Sequence, residues 1–187
     1  FAGTANTANP LAIIAGEVVF GGGAGSVSGT STLTIGGNAA AGLVDITVGG
    51  AADGLGTSLE LNVTDLAALA EGFTSITIGE SGSGLGVIID AAGASFADPL
   101  TINSDGAGGS VTINGQLDTL ANMAGPAATI TINGTGMSTT LSADIVTDAA
   151  MVTINDAVSV DGARTIDTAF GGAGAGAVTI PGAIDGA

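Results

Sequence analysis

The chain has 187 residues, and its 17 acidic residues against a single basic one, Arg164, give a formal net charge of −16. This charge excludes binding to nucleic acid or to an anionic membrane surface, because both require lysine or arginine to neutralise phosphates. Leu, Ile, Val and Phe make up about a quarter of the chain, which is enough for a buried core in one domain or one repeat array.

The first predicted unit is segment 1–22, which begins with Phe1 rather than Met. That start predicts a processed product or an excised segment. The apolar run from Leu11 to Phe20 is too short to cross a bilayer, so we expect no membrane span. We predict a terminal strand that either caps its own domain or adds to the next subunit. The candidate self-association residues are Leu11, Ile13, Ile14, Val18, Val19 and Phe20.

Short strands of apolar residue, threonine and apolar residue recur along segment 23–187, and each ends in glycine, asparagine or proline. Ile76-Thr77-Ile78-Gly79 and Ile130-Thr131-Ile132-Asn133 are two examples. The period of two predicts strands whose apolar side chains point inward and whose threonines point outward. We expect the glycines and asparagines to turn the corners in the left-handed conformation.

The sequence also contains a repeat that is longer than the strand pattern. Ile78 and Ile132 are 54 residues apart, and so are Val48 and Ile102. These offsets predict an array over 23–187 with a period near 53 residues, in which each repeat buries its apolar face against its neighbours.

Three stretches have helical character, namely 64–70, 117–123 and, more weakly, 142–151. Thr64 or Asp65 is the predicted N-cap of the first stretch, and Gly72 is its predicted stop. Each stretch would form one or two turns, too few to be stable alone. We therefore expect short helical insertions that lie against the sheets.

These features predict an all-β fold, a right-handed parallel β-solenoid with irregular loops and one or two short helical insertions. The alternative is an antiparallel β-sandwich. Sandwiches of the immunoglobulin type usually bury a Trp or Tyr, and this chain contains neither. Parallel coils with loops of variable length agree better with the irregular spacing of the strands.

The region from Leu59 to Ile102 resembles the repeats of very large secreted bacterial surface proteins, the haemagglutinin-like and autotransporter-like adhesins. The resemblance rests on Leu-Asn-Val-Thr-Asp-Leu-Ala-Ala-Leu, which begins at Leu61, and on Phe-Thr-Ser-Ile-Thr-Ile-Gly, which begins at Phe73. It implies secretion, an elongated shape and a role in attachment or matrix. It implies no active-site residues.

Carboxylates are the side chains of this sequence that could take part in acid-base chemistry. Without His, Cys or Lys there is no base or thiolate for a nucleophilic mechanism, and we predict that the protein is not an enzyme. No cofactor is required, and calcium is the candidate ligand because hard cations take carboxylate and carbonyl oxygens. The candidate calcium residues are Asp105, Asp156 and Asp161, each close to Gly or Asn.

The sequence therefore predicts an extracellular structural protein at the cell surface. We expect a homo-oligomeric filament subunit, or a segment of an adhesin, that associates end to end through strand edges. The alternative is a calcium-stabilised adhesive module that binds a carbohydrate or a cell-surface receptor.

Overall fold

The computed structural model describes residues 5–50, 56–120, 128–134, 138–171 and 174–186. Short strands account for most of the regular structure. In chain order the strands are β1 (Ala5–Thr7), β2 (Leu11–Ala15), β3 (Val27–Gly29), β4 (Thr32–Gly37), β5 (Asp45–Val48), β6 (Ser58–Leu61), β7 (Ser75–Ile78), β8 (Gly86–Ile89), β9 (Ala94–Ser95), β10 (Leu100–Asn103), β11 (Val111–Ile113), β12 (Leu117–Asp118), β13 (Ile130–Asn133), β14 (Ser138–Leu141), β15 (Ile145–Val146), β16 (Val152–Ile154), β17 (Ala157–Val160), β18 (Ile166–Asp167), β19 (Val178–Thr179) and β20 (Ile184–Gly186).

The strands stack into three parallel faces. Sheet 1 has seven strands in the order β2-β4-β7-β10-β13-β16-β19, and sheet 2 has seven in the order β6-β5-β8-β11-β14-β17-β20. The third face consists of the pair β1-β3 and of a four-stranded sheet, sheet 3, in the order β9-β12-β15-β18. All pairs between these strands are parallel. The parallel β-solenoid is confirmed, and the antiparallel sandwich is wrong.

The core is built from the inward residues of the strands, stacked coil over coil. In sheet 1, Leu33 pairs with Ile76, Ile76 with Leu100, and Leu100 with Ile130. Each of the four is at most 1% exposed. Burial of one such side chain contributes about 1.5–3 kcal/mol. The intervening threonines pair with one another on the outer face, as the period of two predicts.

One turn of the solenoid is shorter than the predicted repeat. Ile102 pairs both with Ile78 and with Ile132, so the 54-residue offset between Ile78 and Ile132 spans two coils. Val48 lies in sheet 2 whereas Ile102 lies in sheet 1, so that offset joins positions that are not equivalent. We number the coils by the strands of sheet 1, from coil 1 with β2 to coil 7 with β19.

The corners that follow the sheet 1 strands are formed in two ways, by glycines at positive φ and by asparagines whose side chains bond to one another. Gly79 has a φ of +89°, the left-handed conformation that was expected. In the described chain Ala149 is the only non-glycine residue with a positive φ, so the expectation is wrong for asparagine. Instead, the side-chain amide of Asn133 donates to the Asn103 side-chain oxygen at 3.0 Å, and that of Asn155 donates to Asn133 at 2.8 Å.

One of the three helical predictions is confirmed. Helix α1 covers Val63–Ala68, but its N-cap is Asn62 rather than Thr64 or Asp65, and Asp65 completes a capping box with Asn62. The stretch 117–123 begins as strand β12, and residues 121–127 lie outside the described part. The stretch 142–151 contains strand β15. Leu117–Asp118 and Ile145–Val146 are in strand conformation because Leu117 and Ile145 stack on each other in the core.

The N-terminal segment forms part of the repeat array. Strands β1 and β2 pair in register with β3 and β4 and supply two faces of coil 1. The sheet 2 strand at this level comes from later in the chain, because β6 pairs with the outer edge of β5. No helix in the described residues combines the length and the apolar character needed to cross a membrane.

Candidate functional site

The N-terminal end of the solenoid is an open, apolar surface. Strand β2 is the outermost strand of sheet 1, and β6 is the outermost strand of sheet 2. Beside β2, between β1 and segment 17–20, lies a recess of about 250 Å³ whose apolar lining includes Leu11, Ile13 and Phe20. The outer edges of terminal strands carry backbone groups that can pair with another strand. The apolar recess and the outer edge of β2 therefore face the next molecule in any end-to-end contact, whereas Leu59 and Leu61 of β6 are 0% and 1% exposed and are already covered.

The predicted self-association residues differ in how far they are exposed. Leu11 and Ile13 point inward and pack against the core while remaining partly exposed. Ile14 and Val19 are 42% and 47% exposed. Val18 and Phe20 are buried at 6% and 3%.

Segment 16–20 is held within its own solenoid. The backbone N–H of Phe20 donates to Asp65 Oδ1 at 2.9 Å, and Asp65 is also the partner of the N-cap Asn62 in the capping box of α1. Val18 and Phe20 are therefore packed within their own solenoid, while β2 is the outermost strand of sheet 1.

The last coil ends in exposed aliphatic side chains. Val178 on β19 is 45% exposed, and Ile184 on β20 is 59% exposed. Their counterparts one coil earlier, Val152 and Val158, are 0% and 2% exposed. The difference arises because coil 7 covers Val152 and Val158, whereas no coil lies above Val178 and Ile184 in the described residues. A further coil at this end would bury both.

The three calcium candidates lie at separate places. Asp105 accepts hydrogen bonds from the Ser81 hydroxyl at 2.6 Å and from the Gly82 N–H at 2.8 Å. Asp156 and Asp161 lie at opposite ends of β17, about 16 Å apart at the rise of an extended strand. In the described part of the chain no three acidic, His or Cys side chains form a group that could hold a metal. Calcium binding stays a prediction, which titration calorimetry would test.

Several aspartates bond to neighbouring coils instead. The N–H groups of Gly72 and Phe73 donate to the Asp98 carboxylate at 3.0 and 3.1 Å, which joins coils 3 and 4. Burial raises the pKa of Asp98, and these two donors partly oppose that shift. Asp105 joins the same coils at the next corner, and its pKa is lowered chiefly by the Ser81 hydroxyl. These carboxylates therefore link neighbouring coils by hydrogen bonds.

Asp156 is the most constrained of the aspartates. It is 4% exposed, and its Oδ2 accepts a 3.1 Å hydrogen bond from the Thr139 hydroxyl. Its Oδ1 is buried without a hydrogen-bond partner. Burial raises the pKa of Asp156, against the lowering effect of Thr139 and of the Gly134 N–H. The carboxylate is therefore held in an environment that favours its neutral form.

A ladder of buried threonines was missed in the sequence. Thr119, Thr147 and Thr168 each follow a sheet 3 strand, and their hydroxyls donate to the carbonyls of Ala128, Ala150 and Gly176 at 2.7, 2.8 and 2.8 Å. The available signal was the recurrence of an apolar residue, any residue and threonine at 117–119, 145–147 and 166–168. Each hydroxyl stabilises, by its hydrogen bond, the corner that leads into the next coil.

Comparison with protein-family models, with curated proteins and with solved structures finds no match for this chain. The observations that bear on function are therefore the parallel stack and the chemistry of its two ends.

Proposed function

We propose that this protein is an extracellular structural element, a subunit of a surface fibre or a segment of an adhesin, that associates end to end through its strand edges. We assign it no catalytic step and no required cofactor. The observation that carries the proposal is the continuity of the parallel sheets to both ends of the described chain, with β2 as the outermost strand of sheet 1 at one end and β19 and β20 as the outermost strands at the other.

Head-to-tail stacking would repeat the contacts already made inside the molecule. A second copy placed on coil 7 would offer β2 to β19, in the parallel sense of the internal pairs. Val178 would then continue the column of core residues that ends at Leu11, and the same contact would cover the exposed Ile184. Burial of exposed aliphatic surface contributes about 25 cal/mol per Å², and backbone pairing fixes the register.

The acidic surface supports an elongated assembly over lateral clumping. With a formal net charge of −16, the sides of two molecules repel each other over roughly a Debye length, about 8 Å at physiological ionic strength. Growth along the axis brings fewer like charges together than side-by-side contact does. We therefore expect thin single filaments.

The test is sedimentation velocity over a concentration series, together with negative-stain microscopy of the purified 187-residue chain. We expect rods that lengthen with concentration. Ile184→Lys would place a charge in the end contact and shorten the rods. Val44→Lys is the matched control, because Val44 is 58% exposed against 59% for Ile184 and lies outside the last coil. A monomer at every concentration, or equal effects of the two variants, would overturn the proposal.

A further inference from the structure

The third face of the solenoid is interrupted between coils 3 and 4. On one side Leu69 bridges to Val27 and so continues the β1-β3 pair. On the other side β9 is the outermost strand of sheet 3. The gap forms a cleft of about 800 Å³ between α1 and β9, which is within the 300–1,000 Å³ typical of ligand sites.

The cleft presents an open strand edge. The N–H groups of Ala94 and Phe96 donate to the carbonyls of Gln116 and Asp118 at 2.9 and 3.0 Å, so both face β12. Successive residues of a strand direct their backbone groups to opposite edges. The N–H and C=O of Ser95 are therefore directed toward the cleft, which Ser95 lines.

The side chains of the cleft combine apolar and acidic groups. Leu66 and Leu69 supply apolar surface beside the buried ring of Phe96, and Glu71 and Asp118 supply carboxylates. No basic side chain lines it. An open edge, an apolar wall and acidic side chains together fit an extended peptide that alternates apolar and basic residues.

We propose that this cleft binds such a segment of a partner protein, which adds as a strand to β9. The occupant is a different protein because the single basic residue of this chain, Arg164, lies beyond β17, several coils away. A sugar fits less well, since the chain has no Trp or Tyr on which a ring could stack. The site is independent of the solenoid ends.

The probe is a labelled eight-residue peptide of alternating valine and lysine with blocked ends, followed by fluorescence anisotropy. A peptide of alternating valine and glutamate is its control. We expect saturable binding of the lysine peptide alone. Equal binding of both peptides, or binding of neutral sugars in place of the peptide, would overturn the proposal.

Two pairs of variants locate the site. Glu71→Gln should weaken binding about two- to fivefold, the range for an exposed ion pair, while Glu80→Gln, outside the cleft, should leave it unchanged. Ala67→Phe places a ring in the cleft and should abolish binding, whereas Ala40→Phe, on an exposed turn, should not. If Glu80→Gln weakens binding as much as Glu71→Gln, the attraction is to the general acidic surface and the proposal fails.

Ser95→Pro removes the N–H that faces the cleft and keeps the bonds of Ala94 and Phe96 to β12. With an unchanged circular dichroism spectrum, it should abolish peptide binding. Full affinity in this variant would show that no strand is added to β9.

Discussion

The side-chain amide of Asn133 donates to Asn103 and its oxygen accepts from Asn155, so Asn133 is the central member of a ladder across coils 4, 5 and 6. Asn133→Ala removes two hydrogen bonds, and Asn155→Ala removes one. At about 0.5–1.5 kcal/mol net for each bond, we expect losses of about 1–3 and about 1 kcal/mol in the free energy of unfolding. Urea denaturation of both variants measures this, and equal losses would show that the ladder is not additive.

Gly79 and Gly82 form a matched pair at positive φ. A Cβ on Gly79 would lie 2.0 Å from the carbonyl oxygen of Asn103, whereas a Cβ on Gly82 would meet nothing within 4 Å. Gly82→Ala should therefore cost only the backbone strain, about 1–2 kcal/mol. Gly79→Ala should cost more than about 3 kcal/mol, because two coils must move apart. Thermal melts compare them, and similar losses would contradict the close packing of the corner.

Stability should depend on pH with opposite signs at two aspartates. The pKa of Asp156 is raised above 3.8 in the folded protein, so folding takes up a proton and stability rises as pH falls from 7 through that raised pKa. The pKa of Asp105 is lowered below 3.8, so its contribution is present above 3.8 and is lost as pH falls through the folded value.

The two aspartates can be separated by titrating the unfolding free energy of variants. Asp156→Asn should reduce the slope of the unfolding free energy against pH above pH 3.8. Asp105→Asn should change that slope only below pH 3.8. Because the general repulsion of the acidic surface also fades on acidification, each variant is compared with the unaltered chain at every pH. A neutral-side slope that is unchanged in Asp156→Asn would contradict the prediction and leave the dependence to Asp98, whose pKa is also raised, and to the general repulsion.

Asp65 stabilises both α1 and the segment before β3. Its carboxylate accepts the N–H of Phe20 and that of Asn62, so Asp65→Ala removes a helix cap and leaves a buried donor without a partner. We expect a loss of about 2–4 kcal/mol and faster hydrogen exchange at the Phe20 amide. Thr64→Ala, on the same helix turn, is the control. Normal protection at Phe20 in Asp65→Ala would contradict the coupling.

The strands of sheets 1 and 2 could be predicted from sequence because their chemistry alternates. Ile76-Thr77-Ile78 shows inward isoleucines and an outward threonine at the expected period. The coil length could not be predicted from this pattern, because strands of two different faces share it. Val48 in sheet 2 and Ile102 in sheet 1 have the same local signature although they never stack on each other.

Other features lacked a local signal. The sheet 3 strands, such as Leu117–Asp118, are too short to show a period of two. Leu117 also lies in a stretch with helical propensity, which stacking in the core overrides. The hydrogen bonds of Asp98 to the preceding coil, and the cleft between α1 and β9, depend on residues that only the fold brings together. The calcium candidates rested on composition, and composition does not determine proximity.

The return of β6 to the level of coil 1 determines the order in which this protein can fold. A chain that emerges N-terminus first from a ribosome or a translocation channel cannot complete its first turn until residues 58–65 have followed. The beginning of the solenoid must therefore form as one cooperative block that contains coils 1 and 2, from β1 to β6. Only the later turns can be added one at a time as they emerge, each on a finished template.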